Sequence, residues 1–431
     1  MTFRISRRSF LKSSALAAAS AAVPGAARDI TRKIFASDQK LRLGVIGVGN
    51  RGRDNLNAVA GEHIAALCDV DTAMLAPARE RFPDARVFRD FREMIATMDL
   101  DAVVVSTPDH THAPAAAAAL RRGLHVYCEK PLTHTVREAR TLTELARKHD
   151  CVTQMGTQIH AGSNYRRVVE RIRSGAIGQV YEVHVFCDKS WSGGERPTDR
   201  PPVPETLDFD LWLGPAPERS YHPAYHPAGW RRWWDFGGGT LADMACHYVD
   251  LVHWALDLRT PTAVQATGPA PHPETTPKEL IVRWQHPARG GRREVSVTWY
   301  DGKARCDRLK DCGLDNWKNG VLFLGEKGWL ISDYGRHELG PDESLRNSPA
   351  PEPFLGESIG HHAEWIAACK DRRPTTCNFD YAGALTETVL LGNIAFRTGK
   401  PLTYHAADVE LEGSNEARAM LHKWYRAGWE L

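Results

Sequence analysis

The chain has 431 residues, 42% hydrophobic and 25% charged, enough for two domains with separate cores and ordinary for a globular protein. A formal charge of +2 offers no basic surface for nucleic acid or an anionic membrane, so neither is expected as a partner. No run of about 18 apolar residues marks a membrane-spanning helix.

The first residues read as an address. Ser6-Arg7-Arg8-Ser9-Phe10-Leu11-Lys12 has the twin-arginine export pattern, followed by a small-residue apolar stretch from Ala15 to Val23 and a cleavage-like Gly25-Ala26-Ala27. Residues 1–27 are therefore expected to be a signal peptide and 28–40 a polar linker, which places the mature protein in the periplasm or outside the cell. Removing Arg4, Arg7, Arg8 and Lys12 takes the basic residues from 55 to 51 against 53 acidic ones, so +2 becomes −2. The nine cysteines form no C-x-x-C, and most are expected to be buried free thiols, with Cys306 and Cys312 the nearest pair for a disulfide.

Leu43 to Ile46 is an apolar run that leads straight into Gly47-Val48-Gly49-Asn50-Arg51-Gly52, with a helical pattern from about Arg53. Strand, tight turn and helix start are the context in which G-x-G-x-x-G binds a dinucleotide. Gly47 makes the turn, Gly49 leaves room for the pyrophosphate and Gly52 lets the helix approach the strand. A second strand, His63–Cys68, ends at Asp69-Val70-Asp71. Asp69 stands where an acidic residue binds the adenosine ribose, and both aspartates would repel a 2′-phosphate, which favours NAD over NADP.

Helices are expected near 72–81, 91–97, 113–122 and 136–148, and strands at 87–88, 101–106, 125–128 and 152–155. The strand before Thr107-Pro108-Asp109-His110-Thr111-His112 and the one before Glu129-Lys130-Pro131 are continuous apolar runs, as parallel sheets require. This alternation predicts a doubly wound parallel sheet over residues 41–160.

Residues 161–431 change character. A helix at 163–173 and a strand at 180–186 precede a Pro/Gly-rich loop from Trp191 to Pro204. An aromatic-rich stretch follows, with Trp212, Tyr221, Tyr225, Trp230, Trp233 and Trp234. Such rings can stack on the C–H face of a sugar or simply pin a loop to the core. Some of the six are expected in a cleft, with Tyr225, Trp230 and Trp234 the candidates for substrate contact. Gly237-Gly238-Gly239 then opens a helix on which Asp243 and His247 share a face, with Asp250 close to it. That set lacks a metal signature, and no metal is expected. Strands at 263–267, 279–285, 294–300, 321–324 and 329–333 predict a mostly antiparallel sheet. A loop at 340–360, helices at 361–370 and 381–397, and a tail ending in Trp424, Tyr425 and Trp429 complete the chain.

Gly47-x-Gly49-x-x-Gly52, Thr107-Pro108-Asp109-x-x-His112, Glu129-Lys130-Pro131 and Gly237-Gly238-Gly239-x-x-x-Asp243-x-x-x-His247 occur in the order and spacing of the Gfo/Idh/MocA oxidoreductases, which the chain resembles from about Leu41 to Leu431. The resemblance implies an α/β fold: an N-terminal Rossmann sheet, then a C-terminal α+β domain with a large, mostly antiparallel open sheet. It implies NAD held by Gly47, Gly49, Asn50, Arg51, Gly52, Asp69, Thr107, Pro108, His112, Glu129 and Lys130. Lys130, Asp243 and His247 would face the nicotinamide and oxidise a hydroxyl of a small carbohydrate or polyol, His247 taking the O–H proton and Lys130 bonding the developing alkoxide. Asp243 would orient His247 or hold a neighbouring hydroxyl. Homo-oligomers through the open sheet are usual among such proteins.

The export signal and Gly156-Thr157-Gln158 also resemble a secreted branch that contains NAD-dependent α-N-acetylgalactosaminidases, which oxidise C3 transiently and end in hydrolysis. A non-catalytic sugar binder is the third reading, and the retained Lys130, Asp243 and His247 argue against it. The twin-arginine route exports folded proteins, so slow NAD exchange is expected, with the cofactor regenerated in place.

Overall fold

The computed structural model describes residues 39–431; the expected signal peptide and all but the end of the linker lie outside the described residues. The first part alternates strand and helix: β1 (Arg42–Ile46), α1 (Arg51–Ala58), β2 (His63–Cys68), α2 (Thr72–Arg81), β3 (Arg86–Phe88), α3 (Phe91–Thr97), β4 (Ala102–Val105), α4 (Asp109–Arg121), β5 (His125–Glu129), α5 (Val136–Lys148) and β6 (Thr153–Gly156). All neighbouring strands are parallel, in the order β3-β2-β1-β4-β5-β6. The chain reverses its direction of travel between β1 and β4, and the crevice beyond their carboxyl ends is where such sheets take ligands. β4, β5 and β6 are buried along their whole length, because helices cover both faces.

Local chemistry explains most helix starts. Asp71 and Asp90 cap α2 and α3 by accepting backbone N–H bonds from Ala73 and Arg92, and Thr135 with Glu138 forms a reciprocal capping box on α5. One start differs from the sequence reading. α4 begins at Asp109 rather than Ala113 and runs through Pro114. The proline lacks the N–H that would bond the carbonyl of His110. The ammonium of Lys423, from the C-terminal tail, donates to that carbonyl at 2.9 Å, so the helix continues.

The remainder is built on a nine-stranded sheet. α6 (Ser163–Arg173), β7 (Val180–Cys187), α7 (Phe209–Leu213), α8 (Gly239–Leu256), β8 (Ala263–Thr267), β9 (Leu280–His286), β10 (Val295–Asp301), α9 (Asp307–Asp311), β11 (Gly320–Gly325), β12 (Gly328–Ser332), β13 (His337–Gly340), α10 (Glu343–Arg346), α11 (His361–Asp371), α12 (Phe379–Thr398), β14 (Leu402–His405), β15 (Glu410–Glu412) and α13 (Asn415–Met420) follow in order. The strand order is β13-β12-β11-β7-β10-β9-β8-β14-β15, antiparallel except for the β7·β10 pair. α8 and α12 are buried on nearly every side, as helices that are apolar all round must be. The edge strands β13 and β15, the neighbouring β14, and the short α7, α9 and α10 go beyond the sequence reading; each is too short for a period to emerge.

All nine cysteines are free thiols, including Cys306 and Cys312. The tail docks on the body through Trp429, edge-on to Phe91 and under the Arg92 guanidinium, and through Tyr425, whose hydroxyl donates to Glu138 at 2.8 Å. Trp424 is 88% exposed. Among the described residues no helix is long and apolar enough to cross a membrane.

Gly52 fixes how closely α1 approaches β1. A Cβ there would collide with the carbonyl oxygen of Gly47, a backbone atom that cannot swing aside. Gly52→Ala is expected to lower unfolding free energy by about 2–4 kcal/mol, as read by urea denaturation against wild type.

Candidate functional site

A cavity of about 480 Å³ opens at the carboxyl ends of β1, β4 and β5 and is closed on its far side by α8 and the segment 211–231. The β1 end supplies the turn. Gly47 has φ +79°, where a Cβ would lie 2.7 Å from the Ser106 carbonyl oxygen, so glycine is required. Asn50, also at positive φ (43°), follows Gly49 at the start of α1, and both line the cavity with Arg51. Gly52 lies behind the turn, packed on Gly47.

Asp69 faces the cavity from the end of β2, accepting from the N–H groups of Val48 (2.9 Å) and Asp71 (3.0 Å). Burial pushes its carboxyl up, against those two bonds. Asp71 does not share the cavity. One of its oxygens caps α2 and the other bonds His226 Nε2 at 3.0 Å. Burial alone would raise its pKa, but His226 and the cap hold it below the usual range.

The β4 end contributes Thr107, whose hydroxyl is buried without a partner, and Pro108 ahead of α4. His112 reaches the cavity wall, yet both of its ring nitrogens face backbone carbonyls, those of Pro131 and Thr107, each at 2.8 Å. It ties the β4 and β5 loops together. Glu129 is similarly committed, accepting from Asn55 and Gln158 at 2.8 Å and from Arg51 at 3.3 Å.

Lys130, Asp243 and His247 converge at one end of the cavity. The Lys130 ammonium donates to the Asp243 carboxylate and, at 3.0 Å, to the Asp243 backbone carbonyl. The same carboxylate oxygen lies 2.9 Å from the Arg231 guanidinium, and its other oxygen accepts from Trp191 Nε1 at 2.7 Å. Burial works to raise the Asp243 pKa, but Lys130 and Arg231 outweigh it and hold the carboxyl far below the usual range. The expected Asp243–His247 pair is therefore not a hydrogen bond: the Lys130 and Trp191 donors and the Arg231 charge occupy the carboxylate, and His247 Nδ1 is buried without a partner. Burial, then the Lys130 charge, lowers His247 to about 3, so the imidazole is neutral at physiological pH.

Asp109 and Arg231 complete the constellation. Asp109, buried at the first turn of α4, is raised to about 7 by burial, against the pull of Arg231 and Lys130. Its place in the Thr107–His112 motif was the one signal for it; Arg231 had none, since its partner is twelve residues away on another element. Asp250 faces away, bonded to His160 (3.0 Å) and to the Tyr381 hydroxyl (2.7 Å). Its carboxylate, His160 and Cys377 form a buried knot behind the site.

The three aromatic candidates separate. Trp230 lines the cavity, beside Trp212. Tyr225 packs with Trp233 and Phe236 and accepts from Arg196 at 2.7 Å. Trp234 lies in the main core, its indole N–H on the His272 carbonyl. Both rings serve to pin the loop.

Residues 41–157 match the family described as oxidoreductase family, NAD-binding Rossmann fold, and residues 172–431 its C-terminal alpha/beta domain. Residues 4–24 match the twin-arginine translocation signal sequence, which indicates export by that route. Inositol 2-dehydrogenase of Corynebacterium glutamicum (strain R) is 33% identical over 184 residues, 41% of this chain and 54% of that protein. Myo-inositol 2-dehydrogenase of Thermotoga maritima is 27% identical over 172 residues, 39% and 48% of the two chains. The chain thus matches about half the length of these curated relatives. In fold it is similar to the WlbA dehydrogenase from Bordetella pertussis in complex with NADH and UDP-GlcNAcA (TM-score 0.63, 18% identity, 86% of this chain and 99% of that one). It is also similar to aldose-aldose oxidoreductase from Caulobacter crescentus complexed with glycerol (TM-score 0.59, 19% identity, 85% and 100%).

Replacing Asp243 leaves two cations in a buried place without their counter-charge. Asp243→Asn is expected to cost about 3 kcal/mol at neutral pH. Because the folded carboxyl titrates below its unfolded value, that stability is complete above about pH 4 and is lost as pH falls through the lowered folded value. Denaturant titrations of both proteins across pH check this: the gap should close on acidification.

Proposed function

The chain belongs to the Gfo/Idh/MocA oxidoreductase family, and from that membership we propose that it is an exported dehydrogenase that oxidises a hydroxyl of a sugar or polyol, with NAD held in the cavity described above. The observation that carries the proposal is the meeting of a neutral His247 and a carboxylate-bound Lys130 at the end of a dinucleotide crevice.

The cavity fits the cofactor. A glycine turn that a Cβ would fill, the acidic Asp69 at the end of β2, and the unpartnered hydroxyl of Thr107 are the groups a dinucleotide needs. Gly47, Gly49, Asn50 and Arg51 would take the pyrophosphate side and Asp69 the ribose. The division between cofactor and substrate parts is placed near residue 160. When bound, NAD supplies the hydride acceptor.

The protein supplies the rest. His247, neutral and facing the cavity, takes the hydroxyl proton as general base. Lys130, held in place by Asp243, donates a hydrogen bond to the oxygen as negative charge grows on it. Asp243 aims Lys130 rather than His247. Trp230 and Trp212 give the sugar an aromatic wall.

The inositol dehydrogenases named above support net oxidation over the NAD-dependent hydrolysis of an N-acetylgalactosaminide-like glycoside. The test is direct: denature the purified protein, identify the released nucleotide, then offer sugars, polyols and nitrophenyl glycosides to the intact protein. A substrate-dependent rise in NADH absorbance supports the dehydrogenase. Nitrophenol release without it overturns that reading in favour of the glycosidase. His247→Ala is expected to lower kcat by about 10²–10⁴-fold and Lys130→Ala by about 10²–10³-fold, both with NAD still bound. As His247 acts in its neutral form, the acid limb of the pH–rate profile should lie well below the ordinary histidine pKa of about 6.5.

Segment 204–232 closes over the adenosine end of the crevice. Thr72 N–H donates to Thr206 O (3.0 Å), Asp208 N–H to Val70 O (2.9 Å), and His226 bonds Asp71. His226→Ala is expected to speed NAD release on dialysis about tenfold, as one hydrogen bond to a charged group is lost. Wild type should retain most of its NAD under the same dialysis.

A further inference from the structure

α8 carries His247 on the cavity side and, one residue on, Tyr248 on the floor of a second depression of about 530 Å³, within the size range of sites for small ligands. The two hollows share a wall. Tyr334, in the turn between β12 and β13, stacks on Tyr248 (ring centroids 4.7 Å apart, 19° between planes) and stands edge-on to His247 at 6.3 Å. Tyr334 is 37% exposed, so part of its ring remains open to the depression. Across the depression lie Trp317 and the side-chain amide of Asn319. Asn319 uses its carbonyl to accept from the Asp188 N–H at 3.1 Å, which leaves its NH₂ group to donate elsewhere.

We propose that this depression is a second sugar subsite, and that the substrate is a glycoside of at least two sugar units whose oxidised ring lies at His247 and whose next ring lies beyond Tyr334. The proposal rests on the dehydrogenase reading above for the identity of the first ring. The lining has the two features a sugar ring recognises: aromatic faces for its C–H surface, in Tyr334, Tyr248 and Trp317, and a short polar group for its hydroxyls, in Asn319. Of its two cations, the Arg336 guanidinium, 4.2 Å over the Trp317 ring, is met by Asp333 at 3.7 Å and Glu338 at 3.6 Å, and Lys318 also stands on the lining. Proximity is the strongest argument: Tyr248 on the floor of the depression follows His247 directly on α8, and Tyr334 stands 6.3 Å from the His247 ring.

The NAD-loaded protein is offered cellobiose, maltose and lactose beside glucose and galactose, and reduction of the bound nucleotide is followed. At least one disaccharide is expected to show a KM ten or more times below that of its component sugars. Arg336→Ala, an exposed change at the rim, and Trp317→Phe, which keeps the ring volume nearly constant, should raise the disaccharide KM several-fold with kcat unchanged. Glucose and galactose should move less than twofold. Equal KM values for disaccharides and single sugars in wild type, or equal effects of the substitutions on both, overturn the proposal. Saturation-transfer NMR with the same disaccharides separates this from the first reading. Transfer to both rings, lost from one ring in Arg336→Ala, upholds the subsite even if no nucleotide is reduced and the dehydrogenase reading falls. Absence of transfer to every disaccharide overturns the subsite.

Discussion

Asp243 sits buried near the start of α8 with Lys130 and Arg231 against one carboxylate oxygen and the Trp191 indole N–H on the other. Four separate pieces of chain meet there: the turn after β5, the segment before α8, the loop after β7, and α8 itself. A buried ion pair of this kind is a poor source of net stability, since desolvation offsets much of the attraction. What it supplies is position. Lys130 cannot leave the carboxylate without stranding a charge, so its ammonium is fixed at the cavity end before any substrate arrives. The same arrangement explains the state of His247. With Asp243 already satisfied by other donors, the Lys130 charge and burial both act against protonation of the imidazole, which keeps it in the form able to accept a proton.

The N-terminal sheet was legible because its strands are continuous apolar runs ending in glycine, acidic or proline punctuation, and nothing in the tertiary structure reverses those signals. The exceptions share a cause. α4 starts early because a lysine more than 300 residues away takes the carbonyl that Pro114 leaves unbonded. β13, β14 and β15 are strands because a sheet edge accepts them, and their three or four residues carry little period of their own. The aromatic segment shows the same limit. Tyr225, Trp230 and Trp234 are alike as residues, and only the path of the loop sends one to the cavity and two into packing.

The candidate site was legible as a set of residue types and not as a wiring diagram. Spacing placed Asp243 and His247 on one helical face, and they are there, but i,i+4 proximity does not decide where a carboxylate's lone pairs go. Those went to Lys130 and Trp191, with the Arg231 charge alongside, and no motif pointed to Trp191 or Arg231. His112 and Glu129 likewise line the crevice while both ring nitrogens of the one and a carboxylate oxygen of the other bind other parts of the protein. Their chemistry shapes the cavity walls, and the atoms left over for a ligand are fewer than the motif alone suggests: the backbone of the glycine turn, Asp69, the Thr107 hydroxyl, and the lysine–histidine pair.

Export as a folded protein fits the closure of the crevice. A cofactor loaded before translocation must stay bound where no free nucleotide replaces it, and segment 204–232 bonds across the β2 end through backbone pairs at Thr72 and Asp208 as well as through His226. Two of those contacts are backbone to backbone and do not titrate, so retention does not rest on the His226–Asp71 bond alone. An enzyme that keeps its NAD must also restore it within the same site, and this sets a requirement on the substrate end of the cavity. It has to admit an electron-accepting carbonyl compound after the oxidised product leaves, or carry the reduced state through one cycle on a single substrate. Both routes require the product to exchange while the dinucleotide does not. Segment 204–232 straps the β2 end of the crevice, whereas His247 stands at its other end, 6.3 Å from Tyr334.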